Sequence, residues 1–326
     1  PRPPPPARGA GRGAEGAMRA APWALLLATC PVRGLRNGLD LVPPMGWSNW
    51  LAFGCNIDEQ LFRRSADALV SKGLRDAGYT TVGVDDCWAE LGRNASGHLV
   101  PNRTMFPSGM EALADYLHAR GLKLRIYSSA GLKTCQGNMS GSLGYEWLDA
   151  QLFASWGVDA LKYDDCYQGQ FEQVLQDSAR RFPFLSPPIL RYPVMAQALN
   201  RTGRSISYLC NFPWDFWRQE QDQALGGQWV AETCNSWRTG PDSQPGFDYS
   251  MGVLDGAEKW ADAVPSGPGG WNHLDALQIG NGRAPGAGGG GAAMSEPQER
   301  ALFSLFALAK TPLMIGADVT ALSGGS

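Results

Sequence analysis

Histidine is scarce in this chain, with three residues (His98, His118, His273) scattered over 326 positions. No HExxH pair and no clustered His ligands occur, which excludes the common zinc hydrolases, and no metal is expected. CxxC pairs are absent, so a zinc ribbon is excluded as well. Excess positive charge is also missing: Lys plus Arg total 28 against 31 Asp plus Glu, for a net charge of −3. Nucleic acid and anionic membranes therefore find no basic footprint. No GxGxxG opens the first strand–helix turn, and no cofactor is expected. Past a short apolar run at residues 20–28, nothing is long and apolar enough to span a bilayer.

What is present suits a globular fold. Apolar residues make up 44% of the chain and charged ones 18%, enough for a packed core. Twelve Trp favour a heavy core over sugar-stacking platforms on composition alone. Residues 1–17 are rich in Pro, Gly, Arg and Ala with nothing to bury, and MRAAPWALLLATC from Met18 reads as a secretory signal peptide. Residues 1–37 are thus expected to be a leader outside the fold. Cys30 ends the signal, leaving Cys55, Cys87, Cys135, Cys166, Cys210 and Cys234, an even set that suggests three disulfides with 15 connectivities open. Four N-x-S/T sequons, at Asn94, Asn102, Asn138 and Asn200, point the same way, to a glycoprotein of the secretory pathway, extracellular or in the lysosome or vacuole.

Strand and helix patterns alternate from residue 45 onward. Residues 58–77 place Leu61, Phe62, Ala66, Leu69, Val70 and Leu74 on one helical stripe, and TTVGVDDCW (80–88) follows as a strand. Ser108 and Glu111 form a capping-box pattern before a helix that stops at Gly121. Further strands are expected at 123–129, 159–166, 205–210, 230–237, 275–280 and 311–318, with helices at 145–157 and 298–310, the latter capped by Ser295 and Gln298. With MGW at 45–47 this makes about eight βα units, which imply a closed (β/α)₈ barrel, an α/β fold, with a doubly wound open sheet as the structural alternative on this pattern alone. Trp47, Asp85, Asp86, Tyr127, Lys162, Asp164, Cys210, Arg238 and Asp275 all fall at C-terminal strand ends, where such barrels carry their chemistry. In LKYDD (161–165) the period of two sets Lys162 and Asp164 on one face. The lysine would keep Asp164 ionised, as a carboxylate nucleophile requires.

Eight segments carry a specific resemblance. PPMGWSNW (43–50), CNID (55–58), AGYTTVGVDDCW (77–88), FPSGMEALADYLHARGLKLRIY (106–127), LKYDDC (161–166), LNRTGRSISY (199–208), CNSWR (234–238) and GPGGWNHLD (267–275) stand in the order of glycoside hydrolase family 27. The chain from Gly38 to about Ala321 resembles that family of α-galactosidases and α-N-acetylgalactosaminidases. The resemblance implies a retaining barrel glycosidase acting on an α-galactoside, with Asp164 as nucleophile and Asp242 as acid/base. It implies sugar contacts from Trp47, Asp85, Asp86, Tyr127, Lys162, Arg238 and Asp275. It also implies the pairs Cys55–Cys87, Cys135–Cys166 and Cys210–Cys234, and leaves a homodimer open as the assembly.

The chain departs from the family in places. Ser129 stands where relatives often have Asp after the third strand, and Asn211 where α-galactosidases commonly have Glu against the 2-hydroxyl. GRAPGAGGGGAA reads as a low-complexity insertion, and the family's C-terminal antiparallel β-domain has no counterpart, so the barrel is expected over 38–321 with 322–326 a truncated tail. In CNFPWDFW, Asn211 and Trp214 align with the positions that separate galactose from N-acetylgalactosamine. The Trp214 indole would fill the acetamido space, so an α-galactosidase is expected. Its Asn211 amide oxygen would accept from the 2-hydroxyl.

Overall fold

Side chains that alternate across short strands, each followed by a helical segment, curl this chain into a parallel barrel. The computed structural model describes residues 35–167, 188–211, 228–264, 266–281 and 294–322. The expected leader (as far as residue 34), Trp214 and the glycine-rich insertion lie outside the described residues. Elements run β1 (Met45–Ser48), α1 (Trp50–Phe53), α2 (Glu59–Ser71), β2 (Thr81–Gly83), β3 (Ala89–Arg93) and β4 (Leu99–Pro101). Then come α3 (Gly109–His118), β5 (Lys123–Ser129), α4 (Glu146–Ser155), β6 (Ala160–Asp164), α5 (Pro188–Arg201) and β7 (Ser207–Asn211). The last are α6 (Gln228–Thr233), β8 (Ser236–Arg238), α7 (Phe247–Ala263), β9 (Trp271–His273), α8 (Glu296–Leu308) and β10 (Leu313–Ile315).

Eight strands form one parallel sheet in the order β10-β1-β2-β5-β6-β7-β8-β9. Leu277, just past β9, joins the two ends: its N–H donates to Met314 O at 2.7 Å, and Gly316 N–H donates to Leu277 O at 3.1 Å. The result is the expected (β/α)₈ barrel, its seam bridged by Leu277 against Ile315. Outward residues such as Trp47, Val82, Leu124, Ile126 and Leu161 are buried in one core with Phe62 and Leu69 of α2, Leu113 and Leu117 of α3 and Phe153 of α4. Each such side chain contributes about 1.5–3 kcal/mol by leaving water. The inward face is different. It carries Lys123, Arg125, Lys162, Arg238 and His273 among only a few apolar groups such as Leu209 and Met314.

Local signals were mostly realised. Asp58 caps α2 by accepting from Leu61 N–H at 2.6 Å, and Gln298 accepts from Ser295 N–H at 2.9 Å at the start of α8. The Ser108 box does not form, because Ser108 N–H donates instead to Glu59 Oε2 at 3.0 Å and its side chain caps nothing. Residues 230–237 are not one strand: α6 ends at Thr233 and only Ser236–Arg238 pair. The strand expected at 275–280 lies earlier, at Trp271–His273, because Asp275 adopts φ +75° and breaks the extended run. The β3–β4 hairpin, an antiparallel excursion after β2, was not anticipated. All three cysteine pairs form as the resemblance implied, at sequence separations of 32, 31 and 24.

Candidate active site

Asp164 ends β6, in register with Ser129 of β5 and Asn211 of β7, so three strand tips meet beside its carboxylate. Tyr127 OH donates to its Oδ2 at 2.9 Å, and Asp165 N–H donates to its Oδ1 at 3.0 Å. Asn211 adds a side-chain hydrogen bond. Burial raises the Asp164 carboxyl above its ordinary 3.8; Lys162, Tyr127 and Asn211 act against that rise without cancelling it. Lys162 favours the ionised form of Asp164, as expected, but without touching it. Lys162 Nζ donates to Asp85 Oδ2 at 2.9 Å and reaches Asp164 only through the field.

Arg238 gathers the other half of the site. Its Nη1 donates to Asn211 Oδ1 at 2.9 Å and lies 3.4 Å from Asp275 Oδ1, while Nη2 donates to Asp242 Oδ1 at 3.2 Å. Asp164, Asn211, Arg238 and Asp242 therefore form one continuous chain of polar contacts. Asp242 sits at its outer end with a side chain 73% exposed, where a proton can be exchanged with water or a ligand. Asn211 departs from the role the sequence suggested: its oxygen is engaged by Arg238, so the residue ties the Asp164 carboxylate to that guanidinium.

Burial would raise Asp275, but Arg238, Lys162 and the Ser243 N–H bring its carboxyl down to about 2. His273 below it is pushed down to about 3 by burial, and its Nδ1 accepts from Asp275 N–H at 2.9 Å, so the ring is a neutral floor rather than a base. Asp86 is buried with both oxygens accepting backbone N–H groups, from Cys87 at 2.7 Å and Gln136 at 2.9 Å. That contact holds the Cys135 loop over the site. An Asp164 oxygen and the sulfurs of Cys135 and Cys166 lie within 4.8 Å of one another, but both sulfurs belong to a disulfide and offer no thiolate to a metal.

Trp47 is the clear correction. It is 0% exposed, its Nε1–H donates to Ala317 O at 2.7 Å, and its ring packs edge-on against Phe53 and Phe62 on the outside of the barrel. Trp50 lines the mouth instead, together with Asp85, Arg125, Lys162, Arg238 and Asp275. The signal was available, since period-two alternation in MGWS puts Trp47 on the face opposite Ser48, which also lines that pocket. A larger cavity of about 590 Å³ opens at the other end of the barrel, around Asp40, Lys123 and Ser207. It lies at the N-terminal ends of the strands, away from the tips where Asp164 and Arg238 stand, so volume does not mark the site here. Trp214 lies outside the described residues.

The comparisons with known proteins fall on the same architecture. Residues 42–325 match the family model described as Alpha galactosidase A. An α-galactosidase of Oryza sativa subsp. japonica is 44% identical over 292 residues, covering 89% of this chain and 61% of the relative. One from Coffea arabica is 46% identical over 293 residues, covering 90% of this chain and 68% of the relative. The chain thus spans roughly three fifths of the rice relative's length. Among solved structures, the α-galactosidase of Saccharomyces cerevisiae with raffinose superposes with a TM-score of 0.70 at 35% identity, over 86% of this chain and 60% of that one.

Proposed function

The chain belongs to the alpha galactosidase A family, and from that premise we propose that it is a retaining glycoside hydrolase releasing terminal α-linked D-galactose. The observation that carries this reading is the polar chain from a half-buried Asp164 to an exposed Asp242 through Asn211 and Arg238. It gives two carboxyl groups two environments, as a double displacement needs. Asp164 attacks the anomeric carbon while Asp242 donates its proton to the glycosidic oxygen, and the C1–O bond to the leaving group breaks. Asp242, now a carboxylate, takes a proton from water, whose oxygen displaces Asp164 and restores both residues. Two inversions at C1 return the α configuration.

Asp85, Lys162 and Asp275 face the pocket with charges suited to sugar hydroxyls, and Trp50 offers an apolar ring to one sugar face. Tyr127 stays protonated, because burial and then Asp164, Asp86 and Asp85 raise its hydroxyl well above 10; it orients Asp164 as a donor. Raffinose on the yeast relative supports an oligosaccharide bearing a terminal galactose as substrate. Three disulfides support a secretory route to the cell exterior or a vacuole. Trp214 is proposed to close the wall beside C2, against an acetamido group. Hydrolysis of nitrophenyl α-galactoside and its 2-acetamido counterpart tests the reading, with proton NMR of the first-formed sugar. The α-galactose anomer should appear first and kcat/KM should favour galactose. No turnover of either substrate, or initial release of the β anomer, would refute it; equal or better turnover of the acetamido sugar would remove the galactose assignment alone.

A further inference from the structure

A third cation stands in the barrel beneath this pocket. Arg125 is central in β5 and only 8% exposed. Its register partner on β2 is Gly83, where a Cβ would lie 2.8 Å from Nη2 and 3.0 Å from Nε of the guanidinium. The missing side chain therefore makes the space in which the guanidinium lies across the barrel. Arg125 lines the mouth pocket together with Asp85 just past β2, Lys162 of β6, Arg238 of β8, and His273 and Asp275 at the end of β9. With Leu209, His273 and Met314 it also lines the cavity at the opposite end, so these four residues form the wall between the two.

Among the described residues, the guanidinium makes neither a hydrogen bond nor a close ion pair. Its interactions are through the field, with Asp85 and Asp275. A buried cation without a paired carboxylate is costly unless the charges around it need one. Here they do. Lys162 and Arg238 supply two positive charges to a site that concentrates Asp85, Asp164, Asp242 and Asp275, and Arg125 supplies a third.

We propose that Arg125 is a positioning residue of the sugar pocket, a buried guanidinium that balances Asp85 and Asp275 from below and so keeps both carboxylates oriented toward sugar hydroxyls. This inference rests on the glycosidase reading for the identity of the ligand, but the charge balance exists in the free protein and is testable there. Thermal melting from pH 2 to pH 7 of the wild type, Arg125→Met and Arg125→Lys reads it directly, since the folded Asp275 gains its charge near the bottom of that range. Without that charge Asp85 keeps Lys162 and Asp275 keeps Arg238, but both carboxylates lose the field of the third cation, a loss that counts only where they are ionised. The melting temperature of Arg125→Met should therefore fall relative to wild type by about 2–4 °C over that range, and Arg125→Lys should restore most of it. If Arg125→Met does not fold, Arg125→Gln, which removes the charge but keeps a polar side chain, takes its place.

A difference that stays constant with pH, or that lysine fails to narrow, means the arginine only fills space and overturns the proposal. The second readout is nitrophenyl α-galactoside hydrolysis, where Arg125→Met should raise KM about tenfold, a loss typical of one weakened polar contact, with a smaller change in kcat. An active wild type with an unchanged KM in the variant overturns the inference and leaves the glycosidase reading standing. An inactive wild type with the pH-dependent melting difference does the reverse: the charge balance holds and the glycosidase reading falls.

Discussion

Asp164 occupies a position that a purely structural carboxylate would avoid. Burial raises its pKa from 3.8, and the cation and donors around it only partly offset that cost. A carboxyl raised in the fold stabilises below its unfolded value and loses that contribution as pH rises through the folded value. Asp164→Asn should therefore melt higher than wild type at pH 7 and equally at pH 3, while turnover falls about 10⁴-fold or more. Calorimetry at the two pH values beside an activity assay checks both halves. The two tryptophans separate in the same way. Trp47→Ala should cost about 3–5 kcal/mol of stability, as deletion of a large core ring does. Trp50→Ala should keep the fold and raise KM about tenfold, readable by denaturant melts and initial rates. The alternation in LKYDD and the DD pair after β2 made Lys162, Asp164 and Asp85 legible. Trp50 was not, because MGWSNW passes from strand to helix between its two tryptophans and neither period spans the change.

At the scale of elements, the site depends on how tightly the loop after β5 folds over the end of β6. A Cβ at Gly131 would sit 1.7 Å from Cys166 O, so only glycine permits this approach. Gly131→Ala should push Cys166 and the neighbouring Asp164 out of place, lowering kcat more than it alters KM and costing about 1–3 kcal/mol. Steady-state kinetics and a denaturant melt measure the two effects. Ser129 holds the same junction, accepting from Cys166 N–H at 3.0 Å. Long amphipathic elements such as α2 and β5 were readable from periodicity, whereas β8, β9 and β10 each have three residues, too few to show any period. The cysteine pairing was not deducible from spacing and came from the family resemblance.

The whole barrel is arranged around a polar lumen, where most such barrels pack Val, Ile and Leu. One consequence is a marked dependence on pH. His273 is pushed down to about 3 in the fold, whereas an unfolded chain protonates it near pH 6.5. Between those values the unfolded state binds the extra proton, so stability falls as pH drops from about 6.5 toward 3. Asp275 adds a second loss at lower pH, since its stabilising contribution disappears as pH falls from the ordinary carboxylate range through about 2. His273→Asn should flatten the first decline and leave the second, as followed by melting temperature from pH 7 to pH 2.

Covalent trapping tests the central claim most directly. A fluorinated galactosyl inactivator that forms the glycosyl-enzyme quickly and releases it slowly should be incubated with the protein, followed by peptide mass spectrometry. A single galactosyl adduct on Asp164, lost in Asp164→Asn and retained in Asp242→Asn, is the predicted result. An adduct on Asp165 or Asp242, or normal turnover of a galactoside with no adduct at all, would contradict the account.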